Sequence, residues 1–389
     1  MSQDLNQVAT DLGNEGMRFV REICDVAWTR LPGSENEAKA QEFIKRRFPE
    51  YGAEDVSVRN YKVYSKFFMW WPRLSIFFFF ISFGLYTFFP LLGLLFAVLT
   101  AVNLIMKIFS FTFLDVFFKA NPSSNVIAKL KAKKQGSSGK PKRVLIIGGH
   151  TDSNYEYPIG KKMGTKMIKV VIPVFIAMAI WILIVLVKSI LFGLNGKIIG
   201  DAADAASVFT KPDWFFILYL LFLPYMIWVG FWMVSNRPVP GANDNLSGVA
   251  VAAMVLKYFA KTPNERPNNV EIWAVAFGSE EGGMMGSKAM SQDVKKMLDE
   301  GTFPAESVWV LNYDSVGANG PLFIATAEPM YRVWSHNPEV YNQLAASAKK
   351  AGVDIIVKSL MAGTDSAPFS RLGIPAVGEI GRASCRERV

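Results

Sequence analysis

The sequence predicts a mixed α/β domain, with a mainly parallel sheet and helices on both faces, into which four transmembrane helices are inserted as two hairpins. Two observations predict it. Short β-branched apolar runs alternate with helical patterns in the polar parts of the chain. Three long apolar runs, free of charge, stand between those parts. Of the 389 residues, 51% are hydrophobic and only 19% charged, and mean hydropathy is +0.22. A disordered chain cannot carry so much apolar surface. Thirty Phe and ten Trp, clustered in blocks, exceed what one soluble core holds. The net charge of +9 suits an anionic membrane surface.

Taken in order, the chain opens on a polar, acidic stretch, Met1 to Met17, with no apolar run of the signal-peptide kind. The first apolar run, Leu74 to Met106, is too long for one span at 1.5 Å per residue. Pro90 lies near its middle, which predicts a hairpin with helices over 68–89 and 91–111 turning at Pro90. A single tilted helix is the alternative. Lys129–Lys142 (KLKAKKQGSSGKPK) reads as a solvated loop, and the absence of interleaved aromatics argues against nucleic acid.

Val170–Val187, bounded by Lys169 and Lys188, and Trp214–Val234 predict a second hairpin with spans at about 167–193 and 214–234. Pro224 and Gly230 are tolerated in such a helix. Lys62, Lys66, Lys119, Lys161, Lys162, Lys166, Lys169 and Arg237 all flank the polar side, which the basic-residue bias places in the cytoplasm. Segments 1–66, 119–166 and 236–379 then form one discontinuous domain, with hairpins at 67–118 and 167–235.

Within that domain Val144–Gly148, Val270–Phe277 and Val308–Tyr313 read as strands buried on both faces. Gly248–Ala260, Gly286–Leu298 and Pro338–Ala351 read as the helices between and after them. Cys24 and Cys385 are too few for a disulfide framework or a cysteine zinc site. The segment Ile380–Val389 (IGRASCRERV) resembles a translated sequencing adapter, so the natural sequence is expected to depart after Glu379.

The chemistry gathers just past the strands. His150 and Asp152 follow the first, Glu280 and Glu281 the second, and Asp314 the third, while Asp244 precedes a helix. Open α/β sheets bind ligands outside the carboxyl ends of their strands. One imidazole with several carboxylates there makes a site for zinc, manganese or cobalt. Any one such Asp is more often a turn or cap residue; the ordered set, with glycine neighbours, carries the argument. His336, before Asn337–Pro338, reads as part of a helix cap and not as a ligand.

The motifs GGHTDS, PGANDNLSG, FGSEEGGMMGS, LNYDSVG and GTDSAPFSRLGIPAVGE resemble the zinc-dependent exopeptidase family of aminopeptidase Y, bacterial secreted aminopeptidases and glutamate carboxypeptidase. RLPGSENEAKAQEFIKRRFPEYGAEDVSV and SSNVIAKL resemble its N-terminal portion. The resemblance covers nearly all the polar sequence and none of the apolar runs. It implies a zinc-exopeptidase fold and two zinc ions. His150 and Asp314 would hold one ion, Asp244 would bridge both, and Glu281 would bind the second. Glu280 would be the general base of a metal-bridging hydroxide, and Asp152 would orient His150. The family's last His ligand is expected downstream of Glu379. Asp365 and Ser366 fall in the substrate pocket, where Ser366 stands in place of a His common in the family. Together with the apolar runs, the resemblance implies a membrane-anchored peptidase acting on peptides, an aminopeptidase first. A carboxypeptidase, a glutaminyl cyclase-like acyltransferase and a non-catalytic membrane protein of the same fold are the alternatives. The sequence sets no oligomeric state.

Overall fold

The computed structural model describes residues 5–108, 119–134, 143–201, 204, 214–304, 307–361 and 363–381. They divide into two units, one formed by 1–65, 115–154 and 238–389, the other by 66–114 and 155–237.

The first unit is built on an eight-stranded sheet ordered β1-β2-β4-β3-β5-β8-β6-β7. The strands are β1 (Asp55–Val63), β2 (Asn121–Leu130), β3 (Arg143–His150), β4 (Val270–Phe277), β5 (Val308–Asp314), β6 (Leu322–Ala325), β7 (Ile355–Lys358) and β8 (Ala376–Ile380). The central four, β4-β3-β5-β8, are parallel. β1 and β2 add antiparallel at one side, and β6 pairs antiparallel with β8 at the other.

Alternation along the central strands explains the layers. Ile272, Ala274 and Ala276 of β4 face a cluster with Phe19, Ile23, Ile44, Phe48, Val249 and Leu256. These come from α1 (Leu5–Val26), α2 (Glu35–Glu50) and the helix Ser247–Lys261. Trp273, Val275 and Phe277 face the opposite cluster, with Met290, Val294 and Phe369 from the helices Met285–Asp299 and Ala367–Arg371. Strands covered on both sides read as near-continuous apolar runs, and each fully buried aliphatic or aromatic side chain contributes about 1.5–3 kcal/mol.

The second unit holds α3 (Ser65–Leu85), α4 (Pro90–Ile108), the short α5 (Pro158–Met163), α6 (Met167–Leu194) and α7 (Trp214–Met233). The later helices of the first unit are therefore α8 (Ser247–Lys261), α9 (Met285–Asp299), α10 (Pro338–Lys350) and α11 (Ala367–Arg371). Two helices, Met167–Leu194 and Phe216–Met233, are long and apolar enough to cross a membrane, so the expected four spans reduce to two candidates among the described residues. Residues 86–89 break the first run, leaving shorter apolar helices at Arg73–Leu85 and Pro90–Met106. Pro90 opens α4 and is not the middle of the turn; its fixed φ and missing N–H suit the first helical position. The expectation for Ile380–Val389 falls mostly outside the described residues, although Ile380 completes β8.

Apolar side chains in this unit face outward as well as inward, and several polar ones are buried. Ile172, Ile176, Ile180, Leu183, Val187 and Ile190 of α6 are exposed. Ser75, Ser82, Thr100, Asn103 and Ser189 are buried. Asn103 Nδ2 donates to Ser75 Oγ at 2.6 Å, and Trp181 Nε1 donates to Ser82 Oγ at 3.0 Å. Trp181 is fully buried among the rings of Phe79, Phe83, Tyr86 and Tyr219.

Candidate metal centre

The strand register brings the expected residues together. His150 pairs with Phe277 at the ends of β3 and β4, so the Glu280–Glu281 turn leaves the sheet beside His150. Gly148 pairs with Asn312, which puts His150 opposite Asp314 two residues on. Asp244 arrives from the loop before α8. That loop comes close because Gly149 and Gly248 lack side chains. A Cβ on Gly149 would lie 2.6 Å from the Gly248 carbonyl carbon, and one on Gly248 would lie 2.0 Å from the Tyr313 oxygen. Two asparagines brace the same loop on either side of Asp244. Asn245 Nδ2 donates to the Tyr313 carbonyl at 2.8 Å, and Asn243 Oδ1 accepts from Gly317 N at 2.7 Å.

One ligating atom from each of His150, Asp244 and Asp314 lies within 4.8 Å of the others. His150 Nε2 is 3.2 Å from Asp244 Oδ1 and 3.8 Å from Glu280 Oε2. Asp244 is the open member, its side chain 43% exposed, whereas that of His150 is 1% exposed. On the other side of the ring, Nδ1 lies 3.3 Å from Asp152 Oδ1. Asp152 also accepts the Glu280 N–H at Oδ1 and the Glu281 N–H at Oδ2, both at 2.9 Å. Glu281 stands outside the tight trio, and its carboxylate accepts from Asn154 Nδ2.

The electrostatics are those of acidic groups crowded out of water. Burial, then the charge of Asp244, pushes Asp314 up to about 7. Burial raises Glu280 well above the carboxylate range against the pull of His150, and Glu281 is raised by burial and by Asp244. Burial pulls the His150 imidazole down, but its bonds to Asp152 and Asp244 and the surrounding carboxylates outweigh this and hold it well above the usual range. A group of carboxylates that raise one another, with a single imidazole, fits a hard divalent cation, which supplies the positive charge the cluster lacks.

Asp365 is fully buried, with the Ser287 hydroxyl beside its carboxylate. Burial pushes it up to about 7, and the charges of His150 and Asp152 reach it. Ser366 does not face open space: its hydroxyl is 2.5 Å from Thr364 Oγ1, which donates to Glu328 at 2.7 Å. His336 is buried with Nδ1 2.7 Å from Ser370 Oγ, while Asn337, and not the histidine, caps α10 by accepting from Val340 N at 3.1 Å.

Sequence reasoning missed three residues around the site. Arg30 is buried and donates to the carbonyls of Thr151 at 2.6 Å and Gly241 at 3.0 Å, tying the His150 loop to the Asp244 loop. Glu37 is buried against Ser279, next to Glu280. Tyr331, raised first by its burial, also feels the charge of Glu280. Arg30 and Glu37 lie in the RLPGSENE stretch, where the resemblance was the one available signal.

Comparisons agree with this fold. Residues 229–384 match the sequence model of Peptidase family M28. No curated protein matches the chain. A zinc aminopeptidase from Bacillus subtilis is similar at 14% identity and TM-score 0.51, over 97% of this chain and 87% of that one. An aminopeptidase from Aneurinibacillus sp. strain AM-1 is similar at 16% identity and TM-score 0.50, over 95% and 85%. A glutaminyl cyclase from an Acidobacteriales bacterium is similar at 15% identity and TM-score 0.48, over 95% and 79%. The two aminopeptidase likenesses speak to the fold. The family model and the ordered motifs make residues 229–384 similar to peptidase family M28.

Proposed function

We propose that the chain is a membrane-anchored zinc metallo-exopeptidase that cleaves residues from the amino end of peptides. The observation that carries the reading is the approach of His150, Asp244 and Asp314 within 4.8 Å, with Glu280 beside them. His150 and Asp314 would hold one zinc ion and Glu281 a second, with Asp244 a ligand as well. When bound, zinc polarises a peptide carbonyl and acidifies water.

The chain's own residues do the rest. Glu280, raised by its burial, is more basic than an exposed carboxylate and better able to take a proton from water and return it to a leaving amine. Asp152 keeps Glu280 and His150 in fixed relation through one carboxylate. Asp365, buried within reach of the charges of His150 and Asp152, would meet a polar group of the substrate.

The lipid bilayer is the second proposed partner. In water, so broad an outward apolar face on α6 is a liability; in lipid, apolar groups outside and hydrogen-bonded Ser, Thr and Asn inside are the stable arrangement. A second catalytic reading, acyl transfer of the glutaminyl cyclase kind, draws on the tight group holding three residues, enough for one ion.

Aminoacyl-4-nitroanilides, carboxy-terminal reporter peptides and a peptide with amino-terminal Gln, each with and without chelator, separate the readings. Chelator-sensitive release from the amino end is expected, lost by about 10²–10⁴-fold in Glu280→Gln with zinc content retained. Cleavage only at the carboxyl end, or ammonia release from the Gln peptide alone, selects the other enzymes. Full activity in Glu280→Gln refutes the base assignment.

A further inference from the structure

We infer that Glu37 is a positioning residue: it holds in place the turn that carries Glu280 and Glu281. The inference rests on the proposed site but reads out independently of catalysis. Glu37 sits in the first turn of α2, three residues after the helix cap Ser34, whose hydroxyl accepts the Glu37 N–H at 3.2 Å. A glutamate at that position ordinarily reaches back to the N–H of the cap residue itself. Glu37 does otherwise. Its Oε2 accepts from Gly33 N at 2.7 Å and from Ser123 Oγ at 3.0 Å. Its Oε1 accepts from Ser279 N at 2.7 Å and Ser279 Oγ at 2.9 Å, 242 residues away along the chain.

Asp152 takes the next two amides of the same turn, those of Glu280 and Glu281. Three consecutive N–H groups are thus received by two buried carboxylates. Ser279 holds φ at +51°, a left-handed conformation that a serine keeps only where its surroundings impose it. Glu37 is the group that bonds both its amide and its hydroxyl. A glutamate serving only as a cap or as core filler would need none of these contacts with Ser279. Ser123, at the start of β2, joins the same network, since Ser279 Oγ also lies 2.9 Å from Ser123 Oγ. The placement of the base is therefore set from α2 and β2, elements that carry no catalytic group.

The test is backbone amide exchange in the full-length protein, comparing wild type with Glu37→Ala and with the nearly isosteric Glu37→Gln. Exchange over residues 278–284 is expected to rise at least tenfold in both, with protection elsewhere in the sheet unchanged and zinc still bound. In active protein, kcat per folded, zinc-loaded molecule falls at least tenfold while KM stays near wild type, a loss that a smaller folded fraction does not produce once the rate is normalised to it. Unchanged protection over 278–284, or a rise spread evenly over the domain, overturns the inference. An inactive wild type that still shows the local rise would overturn the proposed enzyme and leave the positioning role standing.

Discussion

Asp152 accepts the Glu280 N–H at 2.9 Å with the same carboxylate that faces His150 Nδ1 at 3.3 Å. One side chain therefore sets the orientation of the proposed ligand imidazole and the location of the proposed base. Replacing it with an amide points an NH₂ group at a backbone donor, so that at least one of the contacts must break.

Asp152→Asn is expected to lower zinc affinity by about 10–100-fold, the usual cost of losing a partner behind a ligating histidine, and to reduce kcat as well. Zinc titration beside steady-state kinetics checks this. Wild-type affinity in the variant would remove Asp152 from its role.

Stability without metal should fall as pH rises. Burial pushes Asp314, Asp365 and Glu379 up to about 7, and burial together with Asp152 pushes Glu37 up to about 8. The folded chain then binds more protons than the unfolded one between about pH 4 and pH 8, so folding is favoured below that window and weakened through it. His150, held above its usual range, acts with the same sign. Zinc requires deprotonated ligands, so its stabilisation grows with pH. Thermal unfolding of chelated protein should give a higher Tm near pH 5 than near pH 8, with zinc narrowing or reversing the difference. A chelated protein more stable at pH 8 contradicts the burial of these groups.

Arg30→Met should cost more than an ordinary surface change. It leaves the Thr151 and Gly241 carbonyls without their buried donor, at about 1–3 kcal/mol for each group left unsatisfied. Denaturant unfolding measures the loss; a change under 0.5 kcal/mol, the typical scale of a surface substitution, would show that the two loops hold without it.

Sidedness follows from one distance. His150 and Asp244 meet at 3.2 Å, yet α6 and α7 lie between them in sequence. If those helices cross a bilayer, they must do so an even number of times. Cysteines placed at Tyr155 and Arg237 should react with an impermeant maleimide from the same face, the cytoplasmic one by the flanking lysines. Labelling from opposite faces rules out the paired crossing.

The sequence made some of this legible and hid the rest for physical reasons. Strands β3, β4 and β5 could be read because burial on both faces leaves an unbroken apolar run, and Asp314 and His150 could be read because they stand at the ends of those runs. Glycines 149 and 248 signalled the close approach that delivers Asp244. Strands β6 and β7, four residues each, lie below the length at which a pattern emerges. Arg30 and Glu37 bond to backbone atoms far off in the chain, and such contacts leave no periodicity. The first apolar run gave its charge-free length but not its division, because residues 86–89 end one helix before Pro90 begins the next.

A cation beside His150 is the central requirement of the proposed site, and anomalous diffraction at the zinc edge from zinc-loaded crystals looks for it directly. The expected result is a peak within bonding distance of His150 Nε2 and the carboxylates of Asp244 and Asp314, lost in Asp244→Asn. Well-ordered side chains with no peak between them would contradict it.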